Sequence, residues 1–151
     1  MRPTTYIFPA ILLALIYFSG CATTADAVRS KHDGTSDVYD ISPEQAWLVA
    51  KTVLQWEDAD DVVENKQAGY ITAIIPSSAI SMGAVVAVWV DLFGKEYSKV
   101  TVVTKRRMQT NLATTLTEST FHRRFAEAVD ILKSGKPLPA KAPSDTFKRS
   151  Q

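Results

Sequence analysis

The sequence predicts an α+β domain, an antiparallel sheet of four to five strands with two helices on one face, in the order β-α-β-β-β-β-α. Three observations lead there. Two stretches with helical apolar spacing flank a block of short β-branched runs. Tight turns join several of those runs, so hairpins are expected in place of parallel crossovers. Both helical stretches are apolar on one side only, as suits helices lying on a sheet.

Asp37-Val38-Tyr39-Asp40-Ile41 alternates and reads as a short opening strand. Ser42-Pro43-Glu44-Gln45 then starts a helix. Ser42 can cap free N–H groups, Pro43 suits the first helical position, and Gln45 completes a capping box. Up to Trp56, residues Ala46, Trp47, Val49, Ala50, Val53, Leu54 and Trp56 fill one half of the helical wheel. Runs 60–65 and 70–75 are strands around a turn ending in Gly69. Ala84 to Phe93 and Ser98 to Arg106 form a hairpin about Gly94-Lys95-Glu96. The Thr-rich segment 108–118 fits either strand or loop. A last helix from about Ser119 to Ser134 carries Phe121, Phe125, Ala128, Val129 and Leu132 as its stripe, and Gly135 stops it. The second sheet face, where Val85, Ala87 and Trp89 alternate with Val86, Val88 and Val90, has no expected cover. It is a candidate partner-binding surface.

The chain of 151 residues is 46% hydrophobic and 22% charged, which fits one ordinary globular domain. A single cysteine excludes an intrachain disulfide and any thiolate-cluster metal site. Seventeen basic against 16 acidic residues leave no bulk charge to draw the chain onto nucleic acid. The N-terminus reads as an address: Arg2 precedes an apolar stretch from Tyr6 to Phe18 broken only by Pro9. That stretch ends too early for a membrane-spanning helix, which needs about 20 apolar residues. Residues 1–20 are therefore expected as a signal peptide, 21–36 as a flexible tether, 37–135 as the domain and 136–151 as a disordered, Pro-rich tail.

Phe18-Ser19-Gly20-Cys21 resembles a bacterial lipobox, with Phe18 standing where Leu is usual. The resemblance implies a diacylglycerol on the Cys21 thiol, cleavage before Cys21 and acylation of its new amino group. In that class Ala22, in place of Asp, implies the periplasmic face of the outer membrane in a Gram-negative host. Several acyl chains give stable anchoring where one does not. The domain also resembles small bacterial envelope lipoproteins of unknown function, and a similar unit occurs in accessory lipoproteins of outer-membrane assembly. The shared pattern is Tyr39-Asp40-Ile41 to Ala46-Trp47, the acidic strand from Asp60 to Glu64, Gly69-Tyr70-Ile71, Val86 to Val90 with Val100 to Val102, and Phe121 to Leu132. These are core and turn positions, so the resemblance implies a fold and transfers no site.

Chemistry-bearing residues are few. His32 falls in the expected tether and His122 borders the apolar stripe of the last helix, where ring packing is the ordinary role. No Ser sits in a nucleophile elbow. The acidic set Glu57, Asp58, Asp60, Asp61 and Glu64 could attract Ca²⁺ but lacks calcium-loop spacing, so no metal and no cofactor is expected. Lys105, Arg106 and Arg107 on a strand end, with Arg123 and Arg124 on the last helix, would make an anionic-surface patch if they converge. The expected function is a non-catalytic, lipid-anchored envelope protein acting as a binding or scaffold accessory. The expected partners are the membrane, through Cys21, and another envelope protein. The alternative is a lipid- or glycan-binding domain with an internal pocket.

Overall fold

The run Ala84–Phe93 has almost no polar side chain to offer water, and it forms the central strand of the sheet. The computed structural model describes residues 22–77, 83–107 and 116–143. In chain order the elements are α1 (Thr24–Arg29), a 3₁₀ turn (Lys31–Asp33), β1 (Thr35–Tyr39), α2 (Pro43–Trp56), β2 (Asp60–Asn65), β3 (Tyr70–Ile75), β4 (Ala84–Phe93), β5 (Tyr97–Arg106) and α3 (Glu118–Lys133). The five strands lie in the order β1-β5-β4-β3-β2, and every neighbouring pair is antiparallel. The protein is thus the α+β fold with an antiparallel sheet that the sequence predicts.

The two long helices share one face. α2 begins on the expected capping box: the Gln45 N–H donates to Ser42 Oγ at 3.3 Å, and the Ser42 N–H donates to Gln45 Oε1 at 3.1 Å. Val49, Val53 and Leu54 of α2 and Phe121, Phe125 and Ala128 of α3 are all fully buried with Val86, Val88, Val100, Val102 and Ile71 of the sheet. Thr117 caps α3, its Oγ1 accepting from the Thr120 N–H at 3.2 Å, and the preceding Leu116 enters the same core. Of the ambiguous 108–118 segment, residues 108–115 lie outside the described residues.

The opposite face is covered as well, which corrects two expectations. Residues 24–33 are not a flexible tether; they form α1 and the 3₁₀ turn on the sheet. Val85, Ala87 and Trp89 are not an open surface: they are 2%, 0% and 4% exposed in a second core with Val103 and Ala27, flanked by Val28 and Tyr70. β4 is therefore sandwiched, and a strand buried on both faces carries an unbroken apolar run. Thr23 starts α1 with its own capping box to Asp26. Gly34 then lets the chain cross closely into β1, since a Cβ there would lie 2.6 Å from the Val102 carbonyl oxygen and 2.7 Å from Val103 Cγ2.

The C-terminal segment departs from expectation in the same way. Residues up to 143 fold back over the end of α2: Trp56 Nε1 donates to the Pro139 carbonyl at 2.8 Å, and Ala142 is buried. Residues 144–151 lie outside the described residues.

Candidate functional site

The sheet has two distinct ends. The register pairs Tyr70 with Trp89 and Phe93 with Tyr97, so the β2–β3 turn and the β4–β5 hairpin tip share one end, called here the hairpin end. Ala84 pairs with Arg106 at the other, far end. This geometry sorts the sequence-predicted sites.

Cys21 lies outside the described residues, but Ala22 and Thr23 are described and lead straight into α1. A chain of three residues spans at most about 10 Å. Any group on the Cys21 sulfur is thus held close to a helix that is itself part of the fold.

The basic set does not form one patch. Arg124 is largely buried and paired with Glu57, which is buried beside it at the end of α2. That pair joins the two helices and is not available to an external anion. Lys105 stands 3.7 Å from Asp33 of the 3₁₀ turn. Arg106, Arg107 and Arg123 are exposed, with Arg106 beside the start of α3. The acidic set is likewise dispersed. Glu57 serves Arg124, while Glu64 accepts from Trp47 Nε1 at 2.6 Å and pairs with Lys51 at 2.5 Å, tying β2 to α2. The Lys51 and Trp47 hydrogen bonds hold the Glu64 carboxyl below its ordinary value. Among the described residues no cluster of three or more His, Cys, Asp or Glu side chains could hold a metal ion.

His122 has a structural setting. It is 6% exposed, with Nε2 3.1 Å from the Thr35 carbonyl oxygen and Nδ1 2.9 Å from Tyr39 Oη. A carbonyl oxygen can only accept, so Nε2 donates to Thr35, while the Tyr39 hydroxyl also reaches the His122 carbonyl oxygen at 3.3 Å. Asp37 Oδ2 stands 3.3 Å from the same Nδ1. Burial, with the Asp37 charge adding to it, raises the Tyr39 phenol above its ordinary value and keeps it a donor. The cluster fastens edge strand β1 to α3. The hydroxyl of neighbouring Ser36 pairs with Thr101 Oγ1 at 2.8 Å, leaving the histidine ring to Tyr39, Thr35 and Asp37.

Two surface features were missed in the sequence. A trough of about 620 Å³ lies on the α1 face, with Thr24, Ala25 and Val28 on one wall and Val63, Tyr70 and Thr72 as its floor. It arises because α1 has six residues and stops short of β2. Lys66 and Gln67 of the β2–β3 turn close it at the hairpin end. The second feature is the hairpin tip, where Leu92, Phe93 and Tyr97 are 64%, 53% and 46% exposed. In the sequence Leu92 and Phe93 count as ordinary strand residues, and Tyr97 falls between the turn and the next strand. The register leaves Phe93 and Tyr97 one residue beyond the last β1–β5 pair, Tyr39 with Ser98, which stands opposite Leu92.

No family model, no curated protein and no solved structure matches this chain. Among the described residues no helix is long and apolar enough to cross a membrane.

Proposed function

We propose that the chain is a non-catalytic, lipid-anchored envelope protein whose domain binds another envelope protein at the membrane surface. The observation that supports this reading is the position of the only cysteine. Cys21 follows Ser19-Gly20 at the end of an apolar leader and precedes a capped, docked helix by two residues. An anchor joined so directly to a packed element holds the domain at the bilayer, as a scaffold requires and a diffusing enzyme does not.

Two measurements test it. The intact mass of the purified mature protein is expected to start at Cys21 and carry diacylglyceryl and acyl groups, and Cys21→Ala is expected to leave the membrane fraction. In-cell crosslinking of the anchored form, read by mass spectrometry, is expected to capture one dominant envelope protein that the Cys21→Ala form loses. An unprocessed N-terminus, or a crosslinking pattern indifferent to Cys21, sinks the proposal.

The trough beside α1 favours a second reading, a lipid- or glycan-binding domain. Its volume falls within the range of small-molecule sites, about 300–1,000 Å³. It lies outside the fold, on the α1 face, and not between the long helices and the sheet. Native mass spectrometry of protein prepared without detergent would separate the readings. A copurifying lipid or glycan lost in Val28→Asp supports the second.

A further inference from the structure

We propose that His122 is a proton-operated clasp: when its ring takes a second proton, the imidazolium pairs with Asp37 and holds edge strand β1 more tightly against α3. The inference stands on the geometry of the β1–α3 joint and is independent of the anchor.

The ring has an acceptor in place at each nitrogen. Nε2 stands 3.1 Å from the Thr35 carbonyl oxygen, which accepts from the ring in either charge state. Nδ1 stands 2.9 Å from Tyr39 Oη and 3.3 Å from Asp37 Oδ2. In the neutral ring Nδ1 offers a lone pair, and the phenol donates to it. In the charged ring Nδ1 carries a proton, and the phenol turns its own hydrogen to the His122 carbonyl oxygen, 3.3 Å away. The Nδ1–H then faces the phenol oxygen and the Asp37 carboxylate. The step takes one proton from water and forms one N–H bond, and a rotating hydroxyl hydrogen is all that moves with it. Burial, with the Asp37 charge adding to it, raises the phenol, so Tyr39 keeps its proton in both states.

Two opposed effects decide the sign. His122 is 6% exposed, and burial disfavours a charged ring. Against that stand a carboxylate within ion-pair distance and an acceptor for each N–H, the condition under which a buried charge is held. The neighbouring charges are engaged elsewhere. Glu118, one turn earlier on α3, accepts from the Thr35 hydroxyl and from the Thr104 N–H of β5. Arg106 of β5 lines a pocket with Thr35 and Glu118 on that side. Asp40, just beyond β1, pairs with Lys133 at 2.7 Å, Glu57 at the end of α2 pairs with Arg124, and Arg123 is exposed. Asp37 is thus the anion that the new proton meets, and the hold on β1 is stronger below the titration of the ring than above it.

The clasp closes on a strand with little else to fix it. β1 pairs with β5 alone. Thr35 is its first residue, where the chain arrives from α1 and the 3₁₀ turn, so the hold varies at the joint between the cover of the second core and the sheet.

The test follows the full chain by NMR across a pH range in which the domain stays folded. His32→Gln leaves His122 as the one histidine, and its ring ¹⁵N signals report the charge state directly. Amide exchange over residues 35–39, corrected for the intrinsic effect of pH and referred to α2, reports the hold on β1. Protection of β1 is expected to rise several-fold as the ring takes its second proton, with α2 unchanged. Asp37→Asn, which keeps an oxygen and loses the charge, is expected to remove most of that rise. Tyr39→Phe acts in the opposite direction: it deletes the partner of the neutral ring and spares Asp37, so the contrast between the two states widens. A ring that never takes the second proton while the domain is folded would overturn the proposal. So would β1 protection that stays flat or falls as the ring charges, or a rise that persists undiminished in Asp37→Asn.

Discussion

On one face of the sheet lie helices of 14 and 16 residues; on the other lies a helix of six. The long helices bury Phe121, Phe125, Leu54 and a row of valines, the larger of the two cores. The short helix buries Ala27 and leans Val28 and Tyr70 on Val85, Ala87 and Trp89. The first face is structural mass. The second is a thin cover whose far side continues, within three residues, to Cys21. The cover of the second core and the proposed anchor are thus the same stretch of chain, so releasing α1 would bare Trp89 and loosen the domain from its attachment in one step.

If the faces differ in this way, damage to them should differ in size and extent. Phe121→Ala, on the helical face, is expected to cost about 4 kcal/mol in denaturant unfolding and to lower the stability of the whole domain. Arg124→Ala acts on the same face by another route. It leaves Glu57 buried without its partner cation, at a cost of about 3 kcal/mol. Ala27→Asp, on the α1 face, is expected to cost less, about 2 kcal/mol, because undocking α1 releases the buried charge. Its signature is local: proteolysis within residues 22–34 and a red-shifted Trp89, with α2 and α3 retained in circular dichroism. A cooperative loss of all helices in Ala27→Asp would show that the two faces are one unit.

The same contrast explains what could be read in the sequence. α2 was legible because 14 residues give nearly four turns of apolar spacing behind the Ser42–Gln45 box. α1 was not, since six residues give fewer than two turns, too few for a period to emerge from Ala-Thr-Thr-Ala-Asp-Ala-Val-Arg. Its signals were local and present: Thr23 three residues before Asp26, and Gly34 where a Cβ would meet β5. β4 was legible as a strand, but its second face was expected to be open, because the segment that covers it has no apolar period of its own. The basic set failed for a tertiary reason. Nothing in Arg123-Arg124 reveals that the second arginine turns inward to Glu57, far off in sequence. The exposure of Leu92, Phe93 and Tyr97 was not legible because it depends on where β1 and β3 stop pairing, a matter of register and not of composition.

The smallest expected effect concerns how α1 is held, and its sign follows from Asp26. The Thr23 hydroxyl donates to Asp26 Oδ2 at 2.7 Å, the Thr23 N–H donates to the same oxygen at 2.9 Å, and Arg29 pairs with the other oxygen. These bonds, the Thr23 side chain first, lower the Asp26 carboxyl from 3.8 to about 2. A carboxyl lowered in the folded state stabilises that state fully above its unfolded value. The contribution is lost as pH falls from that value towards the folded one. The capping box should therefore protect α1 undiminished above pH 3.8 and weaken between 3.8 and about 2. Backbone hydrogen exchange resolved to residues 24–29 measures this directly, with α2 as the internal reference. Asp26→Asn is expected to flatten the α1 profile across that window while leaving α2 unchanged. If α1 and α2 instead opened together over the same pH range, the cover would not be a separable element, and the coupling between the proposed anchor and the second core would have to pass through the whole sheet.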